Sequence, residues 1–440
     1  MSSVTIALGS LLLMLVLIYA GMHVAITLGL LSFIGVWLIR GDVGIAANLL
    51  AQAVSDAIAS HIFGVVPLFV LTGFLVAYAD VGKDAFDVAN QVFRRLRGGL
   101  GIATVAANAV FAAITGISIA SAAVFSRVAV PQMLRFGYQP RFAVGVVTGS
   151  SVLGMLIPPS LLMILYGFLS NQSVGDLFTA GIVPGLVLAV AFSVLILVMA
   201  YFWPHKVFDL TQQANLEEVP LMSLSEMALK TVPIILLIGS VLGGIYAGFF
   251  TATEAGAVGA LMALIIGVVR RKLTWRGFWG VLTETGHVTV SVSFLIICAS
   301  IYTRMLAMSG TPQAMVEWMA HAGFGVAMFI FIYVLIILLL GTVIDSSSIL
   351  LIVLPLMLPI ATQFQLNLIW FGVITVVAVE IGLLTPPFGL SAYVVKGTLG
   401  DSVPVTLGDI FRGTAPFTLT MLVVLVALIA FPVLTLGLLK

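Results

Sequence analysis

The chain has 440 residues, 61% of them hydrophobic and 8% charged, against about 45–50% apolar and about 25% charged in an ordinary soluble domain, which excludes water as its main solvent. A net charge of +1 and the lack of any long lysine- or arginine-rich run exclude an electrostatic surface for nucleic acid. The single cysteine, Cys298, lies in an apolar stretch; it excludes an internal disulfide and a multi-cysteine metal site and reads as a small buried residue.

A bilayer core takes about 20 mostly apolar residues per helical span. In chain order, apolar stretches bounded by charge, Gly or Pro predict spans at 4–20, 22–39, 62–80, 143–169, 177–203, 231–249, 251–270, 283–308, 371–395 and 415–438, ten crossings of an all-α polytopic protein. No basic region and no small-residue cleavage site accompany the first stretch, so it is expected to stay as a span. Residues 83–97 set Phe86, Phe93 and Leu96 near one helical face and Lys83, Asp84, Asp87 and Arg94 largely elsewhere, which fits an interfacial helix or a plain solvated connector. Two apolar segments, 102–133 and 325–360, are too long for one span and are interrupted by small polar residues, Thr115 to Ser121 and Asp345 to Ser348. They are predicted to be re-entrant hairpins buried in protein.

Basic loops mark the cytoplasmic side, the clearest being Lys83 with Arg94, Arg95 and Arg97, and Arg270, Arg271, Lys272 and Arg276. From Arg97 the first hairpin returns to that side near Arg135 and Arg141. Two spans then lead back to the 204–228 loop, and two more reach Arg270. The span ending near Met308 exits outside, so the second hairpin enters from outside and the broken span 371–395 returns to Lys396 inside. The two hairpins are thus oppositely oriented.

An internal repeat runs through these segments. Gly145-Val146-Val147-Thr148 leading to Gly154-Met155-Leu156-Ile157-Pro158-Pro159 recurs as Gly372-Val373-Ile374-Thr375 leading to Gly382-Leu383-Leu384-Thr385-Pro386-Pro387, displaced by 227 and then 228 residues. Pro131-Gln132-Met133 and Pro355-Leu356-Met357 close the preceding hairpins. A hairpin plus a broken helix is the repeated unit, and its inversion in the membrane is the arrangement that places transporter sites at the repeat interface. Proline lacks a backbone donor and clashes with the carbonyl one turn earlier, so each Pro-Pro pair ends one half-helix and starts another. Freed carbonyls can ligate a cation, and the following half-helix offers amides and a positive dipole end to an anion. A simple kink re-satisfied by neighbouring helices is the plainer reading of one copy, less so of two in register.

The hydroxyls of Thr115, Ser118 and Ser121, and of Ser346, Ser347 and Ser348, are hard oxygen ligands suited to sodium, and equally suit helix packing. Ionisable residues in mid-membrane are expensive. Of these, Asp345 reads as an ion-site or gating group ahead of a cap on the following helix, Glu380 as a group that holds the kink, Glu254 as a helix-start residue, and Arg304 as a side chain reaching the interface. Gly256, Gly259 and Ala260 have small-residue packing spacing. No nucleotide-binding Gly-x-x-x-x-Gly-Lys-Ser/Thr and no His-Glu-x-x-His is present, so no ATPase and no metal-assisted enzyme is expected.

Over nearly its whole length the chain resembles the large membrane subunit, DctM type, of tripartite ATP-independent periplasmic (TRAP) transporters, within the ion transporter superfamily. The carriers are Pro67-Leu68-Phe69-Val70-Leu71-Thr72-Gly73, Ile157-Pro158-Pro159-Ser160 with Ile164-Leu165-Tyr166-Gly167, Ala180-Gly181-Ile182-Val183-Pro184-Gly185, Phe250-Thr251-Ala252-Thr253-Glu254-Ala255, and Gly382-Leu383-Leu384-Thr385-Pro386-Pro387-Phe388-Gly389-Leu390. The resemblance implies an elevator mechanism, sodium as the coupling ion with no other cofactor, and an anionic carboxylate substrate. It implies one sodium site at Thr115 and Ser118 with carbonyls of Gly154, Ile157 and Pro159, and another at Asp345 and Ser346 with Gly382, Thr385 and Pro387. Substrate is expected against Ser160, Ser121, Ser347, Pro158 and Pro386. Two positions depart from the family pattern. Ile117 stands where the family often has serine, and either replaces a side-chain ligand or contributes its carbonyl; Ala252 stands where the family often has proline.

The implied division is 1–97 as N-terminal scaffold spans and interfacial arm, 98–180 as the first transport repeat, 181–320 as scaffold and connectors, 321–400 as the second transport repeat, and 401–440 as a C-terminal span. The implied setting is the bacterial inner membrane, with a separate four-span small subunit (DctQ type) and a periplasmic substrate-binding protein as partners. An ion or anion symporter or exchanger that needs no binding protein, a channel, and a membrane-embedded enzyme are the competing classes.

Overall fold

The computed structural model describes residues 2–59, 61–209 and 221–439, and among them the regular structure is helical, with one isolated bridge between Tyr138 and Phe208. Residues 210–220 of the expected 204–228 loop lie outside the described residues. The chain opens with α1 (Ser3–Tyr19), α2 (Val24–Arg40), α3 (Val43–Ala59), α4 (Val65–Tyr78) and α5 (Val81–Phe93). The first hairpin is α6 (Gly99–Thr115) and α7 (Ser118–Arg135), and the first broken helix is α8 (Pro140–Ser151), α9 (Leu153–Leu156) and α10 (Leu161–Ser170). Then come α11 (Val174–Phe202), α12 (Pro204–Val207), α13 (Leu224–Tyr246), α14 (Ala252–Val269), α15 (Trp275–Ser309) and α16 (Thr311–His321). The second hairpin is α17 (Val326–Gly341) and α18 (Ser346–Gln363), the second broken helix α19 (Leu368–Leu384) and α20 (Leu390–Leu399), and α21 (Leu407–Ala430) and α22 (Val433–Leu436) close the chain.

Seven helical stretches among the described residues are long and apolar enough to cross a membrane, or eight if α4 and α5, which meet at 62°, count as one span. Six of the seven match predicted crossings, and the seventh is α18, an arm of the second hairpin. Of the other four predicted crossings, three fall on shorter helices, α1, α2 and α4, of 14 to 17 residues, and 371–395 falls on the broken helix α19 and α20. At 1.5 Å per residue, a 17-residue helix reaches about 25 Å, at the short end of what crosses a hydrocarbon core of roughly 30 Å. Helices α3 and α16 were not expected. Asn48, Gln52, Ser55 and Asp56 dilute the hydropathy of the first, and Gln313, Glu317 and His321 that of the second.

Burial separates centre from periphery. In Pro140–Ser170, 83% of the apolar stretch is buried, against 22% in Leu224–Tyr246; the broken helix lies inside the bundle and α13 faces outward. Glycine permits the closest approach: Gly145 of α8 and Gly413 of α21 meet backbone to backbone, and a Cβ on Gly145 would lie 2.3 Å from the Gly413 carbonyl oxygen. Helix α21 is thus fastened to the first broken helix.

The amphipathic segment does form a helix, α5, with Val81, Ala85, Phe86 and Ala89 buried. It ends at Phe93, so Leu96 lies beyond it and is exposed. Its acidic face is tied to neighbours rather than solvated: Lys230 reaches Asp87 at 2.5 Å, Lys272 reaches Asp80 at 2.9 Å, and Arg270 pairs with Asp84.

Candidate functional site

Each Pro-Pro pair stops a helix as its missing donors require. After α9 the chain runs extended through Ile157 (φ −75°, ψ 125°) to Ser160 (φ −125°, ψ 125°), and after α19 through Thr385 (φ −94°, ψ 134°). Both Pro-Pro bonds, 158–159 and 386–387, are cis. Ser160 then caps α10, accepting from the Met163 amide at 3.3 Å and donating its hydroxyl to the Met155 carbonyl.

Each hairpin tip seats on the break that follows it. At the first junction Gly116, at φ +67°, accepts from the Leu161 amide at 3.2 Å, and a Cβ there would lie 2.4 Å from the Pro159 carbonyl oxygen. A Cβ on Gly154 would lie 2.8 Å from the Ser118 Cα. The structure therefore brings the tip at Gly116 and Ser118 onto Pro159 and Gly154, with Thr115 and Ile157 next to these contacts in the chain. At the second junction the Thr342 carbonyl accepts from the Phe388 amide at 3.2 Å, and a Cβ on Gly341 would lie 2.6 Å from the Gly382 Cα. The same construction, a tip carbonyl bonded to an amide just past the prolines, occurs twice.

The two junctions differ in access. Pro158 and Pro159 are buried, while Pro386, Pro387 and Phe388 are exposed. Thr115 and Thr385 each donate their hydroxyl one turn back, to Phe111 at 3.0 Å and Ile381 at 2.7 Å, which leaves their oxygen lone pairs outward as acceptors. Ser121 is fully buried without a hydrogen-bond partner. Ser346 is buried and Ser347 half-buried.

Asp345 is the N-cap of α18: one carboxylate oxygen accepts from the Ser348 amide at 3.1 Å, the other from the Ser348 hydroxyl at 2.5 Å. The cap, set second in the sequence reading, is what the geometry displays. Glu254 forms a capping box with Thr251, in line with its structural reading. Arg304 does not simply reach the interface; it pairs with Asp56 of the unexpected helix α3 at 2.5 Å.

Glu380 is where sequence reasoning missed most. It was read as a kink-holder, yet its side chain is fully buried and one carboxylate oxygen faces the Ser118 hydroxyl at 3.5 Å, joining the second broken helix to the first hairpin tip. Its other oxygen has no partner, nor does the buried Ser391 hydroxyl on α20, which packs against α7. Asn108, also missed, bonds Ser150 at 2.7 Å through its amide nitrogen while its carbonyl oxygen is unpaired. Buried polar atoms are nearly always satisfied in folded proteins. Glu380, Ser121 and Ser391 are thus three buried residues, on α19, α7 and α20, that each keep a side-chain oxygen without a protein partner. The signal in the sequence was the mid-membrane carboxylate itself; its partner, 262 residues away, was not readable.

Comparison with known proteins fits this geometry. A family model described as "Tripartite ATP-independent periplasmic transporter, DctM component" matches residues 11–434. The C4-dicarboxylate TRAP transporter large permease protein DctM of Pseudomonas aeruginosa is 35% identical over 377 residues, covering 85% of each chain. The sialic acid TRAP transporter large permease protein SiaM of Vibrio cholerae is 31% identical over 421 residues, covering 96% of this chain and 95% of its own. Among solved structures, the YdaH transporter of Alcanivorax borkumensis is similar in fold alone, with a TM-score of 0.58 at 14% identity over 87% of this chain and 88% of that one.

Proposed function

The chain belongs to the DctM component family of tripartite ATP-independent periplasmic transporters, and on that premise we propose that it carries a small organic anion, a carboxylate, into the cell by coupling to sodium. It is a multi-pass large permease subunit and not an enzyme. The observation that carries the proposal is the pair of tip-on-break junctions, built alike in both repeats.

In this reading sodium binds at each junction. Thr115 and Ser118 act with the carbonyls of Gly154, Ile157 and Pro159 at the first; Ser346 acts with Gly382, Thr385 and Pro387 at the second, with Asp345 fixing the start of α18 beside it. Ser160, Ser121, Ser347, Pro158 and Pro386 line the substrate, whose carboxylate meets the amide end of α10. Glu380 links the two halves, so occupancy at the first tip is felt by the second broken helix. Moving one charge through 100 mV yields about 2.3 kcal/mol, enough for net cation influx to drive accumulation.

Residues 98–180 and 321–400 form the moving part of an elevator against a scaffold of 1–97 and 181–320. Helix α21, fastened to α8 at Gly145, travels with the first repeat rather than standing apart. The partners are a separate four-span small subunit and a periplasmic binding protein that delivers the substrate, in the bacterial inner membrane. C4-dicarboxylates, the substrates in the name of the Pseudomonas aeruginosa relative, are the first candidates.

The test is uptake of labelled C4-dicarboxylates and sialic acid into proteoliposomes holding the chain and its small subunit, with and without binding protein and an inward sodium gradient. Accumulation that needs both supports the proposal. Uptake indifferent to the binding protein identifies an ordinary symporter or exchanger instead.

A further inference from the structure

A cavity of 750 Å³ lies where the start of α8, the end of α11 with α12, and the start of α21 converge. Its polar rim is Arg141, His205, Lys206, Asp409 and Arg412. The one carboxylate there is already engaged. Arg141 holds one oxygen of Asp409 through two nitrogens, at 2.6 and 3.2 Å, and the other oxygen accepts from the Thr406 amide and hydroxyl at 3.1 and 2.7 Å. Among the described residues, Lys206 and Arg412 have no carboxylate partner, so two of the positive charges lining the cleft are uncompensated within them. The lining also includes the apolar residues Leu195 and Met199 of α11 and Pro416 of α21.

The surroundings fix the depth of this cleft. Helix α11 ends in Tyr201-Phe202-Trp203, all exposed, with Arg97 5.6 Å over the Tyr201 ring and Lys206 5.7 Å over the Trp203 ring. An aromatic girdle with interleaved cations marks the level of lipid head groups. We propose that the cleft binds an anionic phospholipid, its phosphate between Lys206 and Arg412 and an acyl chain along Leu195 and Met199. A free phosphate would satisfy the same two cations, but the apolar residues that share the cleft with them, Leu195, Met199 and Pro416, favour a lipid. This site goes beyond the transport reading and does not depend on it.

Native mass spectrometry of the full-length chain tests it, with phosphatidylglycerol, phosphatidylcholine of the same acyl chains, and soluble glycerol phosphate as probes. Phosphatidylglycerol is expected to bind roughly thirtyfold more tightly than phosphatidylcholine, the factor to which about 2 kcal/mol from two basic residues converts. Lys206→Gln with Arg412→Gln should remove most of that preference. Met199→Trp, which leaves the charges in place, should weaken phosphatidylglycerol binding by crowding the apolar lining. Equal binding of the two lipids overturns the proposal, as does a full preference retained in the charge variant. Glycerol phosphate competing as well as the lipid would identify a soluble anion and also overturns it.

Discussion

At the scale of single residues, Glu380 carries the most consequence. It is a fully buried carboxylate with one oxygen on Ser118 and the other unpaired. Glu380→Ala leaves a cavity and strips Ser118 of its contact, a loss of about 2–4 kcal/mol by the usual scale of buried truncations. Glu380→Gln keeps the shape and an acceptor for Ser118, so its thermal unfolding should lie close to wild type while the alanine variant melts earlier. Equal melting of both variants would sever Glu380 from the structural coupling described. Lys272, outside the spans, is a contrasting case: the hydrogen bond it donates to Asp80, then the Asp80 charge, raises the lysine pKa. A raised folded pKa gives stability that is complete at neutral pH and is lost only as pH climbs past the ordinary lysine value. The melting difference between wild type and Lys272→Gln should therefore be flat from about pH 6 to pH 9 and shrink above that. Sequence gave the types of these residues but not their partners, because pairing across 262 or 192 positions is a product of topology.

At the scale of elements, the hairpins and broken helices were legible because punctuation is local: small polar residues at the tips, and prolines that cannot donate. The repeat in register made the second copy readable from the first. What was not legible followed from dilution and length. Helix α3 carries enough polar residues to read as a connector, and only the fold reveals that Asp56 meets Arg304 there. Asp345 was weighted toward an ion role because a mid-membrane carboxylate is costly, whereas the helix start beside it supplies the amide that caps it. The close glycines make a sharp prediction. Gly341→Ala places a methyl 2.6 Å from the Gly382 backbone, where no flexible side chain can yield. It should cost about 1–3 kcal/mol, as overpacking does, and depress uptake by separating the second tip from its break. Gly239→Ala, on outward-facing α13 with open space at its Cβ position, should leave both melting and uptake unchanged. A melting temperature for Gly341→Ala equal to that of Gly239→Ala would contradict the packed second junction.

At the scale of the whole molecule, composition alone settled the solvent, and hydropathy placed the apolar stretches, six of them on helical stretches of 18 residues or more. The arrangement of the two repeats is the part that ties structure to function: both junctions are built the same way, one enclosed and one open, and Glu380 spans between them. The proposal that rests on this arrangement places a sodium site at each junction. It is tested most directly by the sodium dependence of thermal unfolding of the purified chain, with choline as the control cation, in wild type, Ser118→Ala and Thr385→Val. Sodium should stabilise wild type relative to choline, and the sodium requirement should rise roughly tenfold or more in each variant, as loss of a ligand or its support does at metal sites. A wild-type chain indifferent to sodium, or variants that respond as wild type does, would contradict it.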